Sequence, residues 1–99
     1  MVGRKARIKW LGPAEGGREA PPSGDTYSTV ARFETLRDRW PQEAWSVVLQ
    51  ISTPPDDDGV MVAGIRMLAS DEAPKELLES GSRFELYEGY RCVARGEVL

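Results

Sequence analysis

Apolar residues recur at every second position over short stretches of this chain, which is the period of a half-buried β-strand. In "ARIKWL", Ala6, Ile8 and Trp10 fall on one face and Arg7 and Lys9 on the other. "TYSTVARF" is rich in β-branched and aromatic residues and reads as a second strand. "AWSVVLQI" places Trp45, Val47, Leu49 and Ile51 on a common face, and "VMVAGIRMLA" does the same for Met61, Ala63, Ile65 and Met67. Gly64 within that run predicts a bulge or a sharp barrel bend. The last stretch, "SRFELYEGYRCVARGEVL", holds two more strands folded about a hairpin.

Between the strands lie the expected breakers. "GPAEGGREAPPSG" carries four glycines and three prolines and predicts a long loop. "RDRWPQE" interrupts pairing, because Pro41 forces extended backbone on Trp40. "STPPDDDG" reads as a turn, and "APKELLESG" has the only helical composition, enough for a turn or two between Pro74 and Gly81.

The closing hairpin admits a register argument. A three-residue loop of Tyr87, Glu88 and Gly89, with Gly89 left-handed, sets Leu86 opposite Tyr90, Glu85 opposite Arg91 and Phe84 opposite Cys92. Phe84, Leu86, Cys92, Ala94 and Val98 then share one apolar face, and Cys92 is an inert inward hydrophobe. A two-residue Glu-Gly loop would set Arg91 and Arg95 on the face of Phe84, so this reading rejects it. Six strands joined mostly by hairpin-length connections, with one short helical turn, predict an all-β fold: a single domain over 1–99 forming a closed six-stranded antiparallel barrel. Its expected interior holds Trp45, Val47, Leu49, Ile65, Phe84 and Leu86.

Composition narrows the chemistry. The 99 residues include no histidine and one cysteine, which removes imidazole bases, Ser-His and Cys-His pairs, and an intrachain disulfide. No G-x-x-x-x-G-K-[ST] loop is present, so neither nucleotide binding nor GTP hydrolysis is expected. No apolar run approaches a membrane span or a signal peptide, and a cytoplasmic protein without membrane contact is the expectation. Asp56, Asp57 and Asp58 lack the spacing of a calcium loop and read as a turn. Asp71 and Glu72 read as carboxylates serving the positive end of the following helical turn. Neither metal nor cofactor is expected, and the chain reads as non-enzymatic. The net charge of −3 disfavours a dedicated nucleic-acid binder, whose phosphate contacts would have to come from a local patch such as Arg4, Lys5, Arg7 and Lys9. The bland reading of that run is the solvated outer face of the first strand.

Some residues are left without a structural duty. Trp10 and Trp45 fall on core faces, whereas Trp40 sits in a polar loop and is a candidate interface residue. Tyr90 and Arg91 lie at the exposed end of the last hairpin, with Arg18 of the long first loop as a candidate neighbour.

The run Gly81, Arg83, Phe84, Leu86, Glu88, Gly89, Arg91, Val93, Gly96 resembles the G-x-R-F-x-[IL]-x-E-G-x-R-x-V-x-x-G ending of the third, C-terminal domain of elongation factor Tu. Gly16, Gly17 and Arg18, with Pro21 or Pro22 and Gly24 soon after, look like the loop between that domain's first two strands. The two blocks lie at the two ends of the chain, while Glu34 to Lys75 matches in strand pattern only. The resemblance implies a six-stranded barrel of the translation-factor type. It also implies a surface that holds tRNA, with a glycine pair of the last hairpin near the RNA backbone, and a protein-binding surface. Only Gly89 of that pair is present, and Tyr90 stands at the second position.

Two function classes follow. The first is a non-catalytic protein-binding module, serving as regulator, adaptor or toxin-neutralising partner, with Arg18, Trp40, Gly89, Tyr90 and Arg91 as its contact residues. The alternative is an RNA-binding or translation-associated module, which requires a basic stripe joining Arg4, Lys5, Arg18 and Arg91.

Overall fold

The structure, a computed structural model, describes residues 4–99. Its six strands are β1 (Arg4–Trp10), β2 (Thr26–Phe33), β3 (Trp45–Gln50), β4 (Val60–Met67), β5 (Arg83–Glu88) and β6 (Arg91–Val98). All neighbours are antiparallel, in the order β1-β4-β3-β2-β5-β6, and β6 pairs with β1 to close the barrel. Closure gives each of these six strands a paired neighbour on both sides.

Alternation decides which side chains fill the interior. Ala6, Ile8 and Trp10 of β1, Val47 and Leu49 of β3, and Met61, Ala63, Ile65 and Met67 of β4 are all buried. Phe33 and Phe84, directly paired across β2 and β5, meet in the core with ring centroids 5.5 Å apart. Trp45 and Ile51, the outer members of the β3 series, pack against this core half-buried. Full burial of one such side chain stabilises by about 1.5–3 kcal/mol, so the apolar stripe of each strand has a single place to go.

The connections depart from expectation. Only β5–β6 is a tight hairpin; β1 to β2 and β4 to β5 each join strands that are not neighbours and cross an end of the barrel. Short 3₁₀ turns punctuate these two paths at Pro13–Glu15 and Lys75–Leu78, and a third, Glu34–Arg39, lies between the neighbours β2 and β3; the sequence predicts only Lys75–Leu78. Leu77 from that last turn is buried and plugs the core. Gly64 makes no bulge, since β4 keeps unbroken register with both β1 and β3. Its role is close approach: a Cβ there would stand 3.3 Å from Gln50 Cβ.

The last hairpin corrects the predicted register. Glu88 pairs with Arg91 and Tyr87 with Cys92, so the turn has two residues, Gly89 and Tyr90. Gly89 takes φ +63 and Tyr90 does not have positive φ, the requirement of a turn with glycine first. One extra residue is then absorbed in β6, and Leu86 pairs with Ala94, Glu85 with Arg95 and Phe84 with Gly96. This bulge lets both Val93 and Ala94 face the core, returns Arg95 to the outside and leaves Cys92 half-buried rather than inward. On β6 the residue facing Glu85 is therefore Arg95, at 3.9 Å, and not Arg91.

At the opposite end of the barrel the backbone N–H of Leu99 donates to Lys5 O at 2.9 Å, which sets residues 4 and 99 side by side.

Candidate functional site

The long first loop reaches the hairpin through a relay of backbone hydrogen bonds. The N–H of Leu11 donates to the carbonyl of the bulge residue Val93 at 2.9 Å, and the N–H of Arg18 donates to Leu11 O at 3.0 Å. Between them the loop doubles back so tightly that a Cβ on Gly17 would lie 2.5 Å from the Leu11 carbonyl carbon. Only glycine fits there, and the consequence is that Arg18 is delivered to the end of β5.

Glu88 waits at that end. By alternation it shares the inward face of Phe84 and Leu86, but at the mouth of the barrel, where it meets polar partners instead of core. The Arg18 guanidinium donates to one Glu88 carboxylate oxygen, and the Tyr27 hydroxyl donates to the same oxygen. Arg18 also lies 5.5 Å above the Tyr27 ring and donates from Nε to Ala20 O at 2.9 Å. Tyr27 in turn packs edge-on against Trp10, with centroids 5.4 Å apart. The two donors hold the Glu88 carboxyl below its ordinary range, the Tyr27 hydroxyl foremost. Burial, reinforced by the bond to the carboxylate, pushes Tyr27 up to about 12. Both shifts mark a clamp that fixes the base of the hairpin.

Beyond the clamp, Tyr90 is fully exposed at the tip and Arg91 follows it, also exposed. Arg18, Glu88 and Arg91 line one shallow groove of about 510 Å³ together with Glu19, Pro21 and Ser23. Four of the five expected contact residues, Arg18, Gly89, Tyr90 and Arg91, thus come together. Trp40 does not join them. It is half-buried on the outer wall, its ring 5.0 Å from that of Tyr87 and tilted by 37°. Tyr27 and Glu88, which organise the site, carried no sequence signal for this role beyond Glu88 lying in the Glu-Gly motif.

The remaining candidates separate by position. Arg4 and Lys5 lie at the end of β1 that pairs with Val98, while Arg18 and Arg91 lie at the end beyond Trp10, so no stripe joins the four. Arg4 donates to Leu78 O at 2.8 Å and Lys9 to the Asp58 carbonyl. Asp56 Oδ1 accepts the backbone N–H groups of Asp58 and Val60, each at 2.9 Å, which makes the acidic run a turn. Asp71 and Glu72 are exposed and cap nothing, since the turn at Lys75–Leu78 has no side-chain cap. Cys92 donates to Ala94 O at 3.6 Å, and burial raises its thiol pKa. Among the described residues no group of three or more metal-ligating side chains converges. No helix there is long and apolar enough to cross a membrane. Set against known proteins, the chain matches no family model and no curated sequence.

Proposed function

We propose that this chain is a non-catalytic protein-binding module, in the cytoplasm, whose contact surface is the tip of the β5–β6 hairpin and the flank formed by the first loop. The observation that carries the reading is a fully exposed tyrosine on a rigid mount: Tyr90 projects from a two-residue turn whose base is clamped by Arg18 and Tyr27 on Glu88. Tyrosine and arginine are enriched among the residues that dominate the energetics of protein interfaces, and a backbone turn clamped before contact has less entropy to lose on binding. Barrel stability asks for neither side chain at this position.

Kinship with the third-domain barrel of elongation factor Tu belongs to the same proposal. Its support is that the residues carrying the resemblance have structural tasks: Gly17 admits the loop reversal, Gly89 makes the turn, and Gly96 makes room for Phe84. The RNA alternative draws no comparable support at the tip. Arg18 is committed to Glu88, and Glu19 lines the same groove as Arg91.

A photo-reactive phenylalanine analogue at position 90, expressed in the native host, tests the reading against a control at exposed Arg66. A protein crosslinked from position 90 alone is the expected result. Tyr90→Ala and Arg91→Ala should then weaken binding of that partner by about 1 kcal/mol or more each, with thermal stability nearly unchanged. Full affinity in the double variant, or crosslinks that go to RNA, overturns the proposal.

A further inference from the structure

An acidic chain concentrates positive charge on one wall of this barrel. Strand order sets β1, β6, β5 and β2 side by side, and their outward residues form rows across the strands. One row reads Lys9, Arg95, Glu85, Arg32, and the next reads Arg7, Glu97, Arg83. Arg37, from the 3₁₀ turn after β2, closes one side of a recess of about 240 Å³ that it shares with Arg32, Arg83 and Arg95, and the backbone of Gly96 contributes to the lining. A second shallow depression, sharing Arg83, Arg95 and Gly96, continues the surface to Arg7 and Lys9. Six cations therefore stand on this wall against three carboxylates, Glu34, Glu85 and Glu97, a local balance of +3 on a chain whose total is −3.

The charges are not spent on each other. Glu85 engages Arg32 at 2.9 Å and approaches Arg95 at 3.9 Å. Arg7, Arg37 and Arg83 have no carboxylate within 4.0 Å among the described residues. Uncommitted guanidinium forks around a recess are suited to bidentate recognition of carboxylates.

We propose that this wall is a second recognition surface and that its occupant is an acidic peptide segment of a protein partner. Charge complementarity names the sign of the occupant, and two features favour a peptide over a nucleic acid. Glu85 sits between Arg32 and Arg95 in the centre of the surface, where a continuous phosphate backbone meets repulsion but a peptide places a backbone N–H or a neutral residue. The aromatic rings at hand are also engaged within the chain: Phe84 in the lining is buried, and half-buried Tyr87, beside Glu85 on the outer face of β5, donates its hydroxyl to Glu85 at 3.3 Å and packs against Trp40 with ring centroids 5.0 Å apart. Arg95 lies five residues along β6 from Tyr90, roughly 17 Å at the rise of a strand, so tip and wall are separate contacts.

Fluorescence anisotropy with a fluorescein-labelled peptide of alternating Glu and Gly tests the proposal, alongside an oligouridine RNA of equal length at the same ionic strength. Saturable binding of the peptide is expected. Arg37→Glu and Arg83→Glu should each weaken it at least about tenfold, and Arg66→Glu, on β4 in the opposite wall, by less than about twofold. Among the described residues neither Arg37 nor Arg83 holds an ion pair, and Arg→Gln variants give the same readout should a reversed charge disturb folding. Shifts of the Arg37, Arg83 and Arg95 side-chain Nε–H signals on peptide titration identify the site directly. Absence of binding at low salt, equal loss in Arg66→Glu, or tighter binding of the RNA through the same arginines overturns the proposal. The inference rests on the protein-binding reading for the class of partner but not for its residues. Tyr90→Ala leaves peptide binding intact and Arg83→Glu leaves crosslinking from position 90 intact, so failure of one reading is told from failure of the other.

Discussion

Gly96→Ala adds one methyl group at the most crowded point of the barrel. Built on the existing backbone, the new Cβ would stand 2.5 Å from Phe84 Cε1 and 3.0 Å from Ile8 Cδ1, where carbon atoms prefer about 3.5–4.0 Å. The Phe84 ring must therefore retreat by about 1 Å. It has little freedom to do so, being buried and backed by Phe33, and Ile8 is fully enclosed. Overpacking of this kind costs about 1–3 kcal/mol, and with immobile neighbours on both sides we expect the upper end, about 3 kcal/mol. For a domain of this length that lowers Tm by roughly 10–20 °C in calorimetry or far-UV melting. Gly12→Ala is the matched control, because nothing lies within 4 Å of its Cβ position and its φ of −87 suits alanine; it should stay within about 0.5 kcal/mol of the parent. Adding Phe84→Leu to Gly96→Ala should recover at least about 1 kcal/mol relative to the sum of the single changes, because the ring is what the methyl strikes. A Gly96→Ala protein melting within about 2 °C of the parent would refute the reasoning.

Two further predictions concern the clamp at the hairpin base. Tyr27 keeps its proton to about 12 in the folded chain whereas an unfolded tyrosine ionises near 10, so its contribution is fully present below pH 10 and is lost as pH rises through 12; with the ring partly open to water this amounts to about 1–2 kcal/mol, and Tyr27→Phe should flatten that part of the alkaline stability profile in urea titrations. Glu88 is shifted the other way, so its contribution is present above the ordinary glutamate range and is lost as pH falls through its depressed folded value; Glu88→Gln should make acid unfolding begin from a lower plateau but with a shallower slope, and an unchanged acid limb would count against the clamp.

The faces of the strands were legible because a period of two needs only a few residues to declare itself. Ala6, Ile8 and Trp10, or Met61 through Met67, leave one side for the core and one for water. The hairpin register was not legible, and the reason is local: Cys92, Val93 and Ala94 are consecutive small or apolar residues, so no polar position marks which of them is the extra one. A two-residue turn plus a bulge and a three-residue turn without one both keep Arg95 outside; they differ in every cross-strand pair, Leu86 meeting Ala94 in the first and Tyr90 in the second, and the apolar pattern alone does not choose between them. Tyr90 and Arg18 could be singled out, since an aromatic at a tip and an arginine in a glycine-rich loop are conspicuous by type. The packing of Trp40 on Tyr87 was not legible because the two are distant in sequence, and the arginine wall escaped notice because its members are scattered from Arg7 to Arg95 and meet only through the order of β1, β6, β5 and β2.

The hydrogen bond from Leu99 to Lys5 has a mechanical consequence. It fixes the two ends of the barrel's closing strand pair at one pole, with β1 and β6 running antiparallel away from it toward the hairpin tip. A force applied between residues 4 and 99 is then directed across the strands, along the inter-strand hydrogen bonds, and loads them one at a time from the Val98 end toward Ala94. The seam opens like a zipper instead of resisting in shear, so tension applied at these two residues would unlatch this barrel at its seam, beginning at the pole farthest from Tyr90.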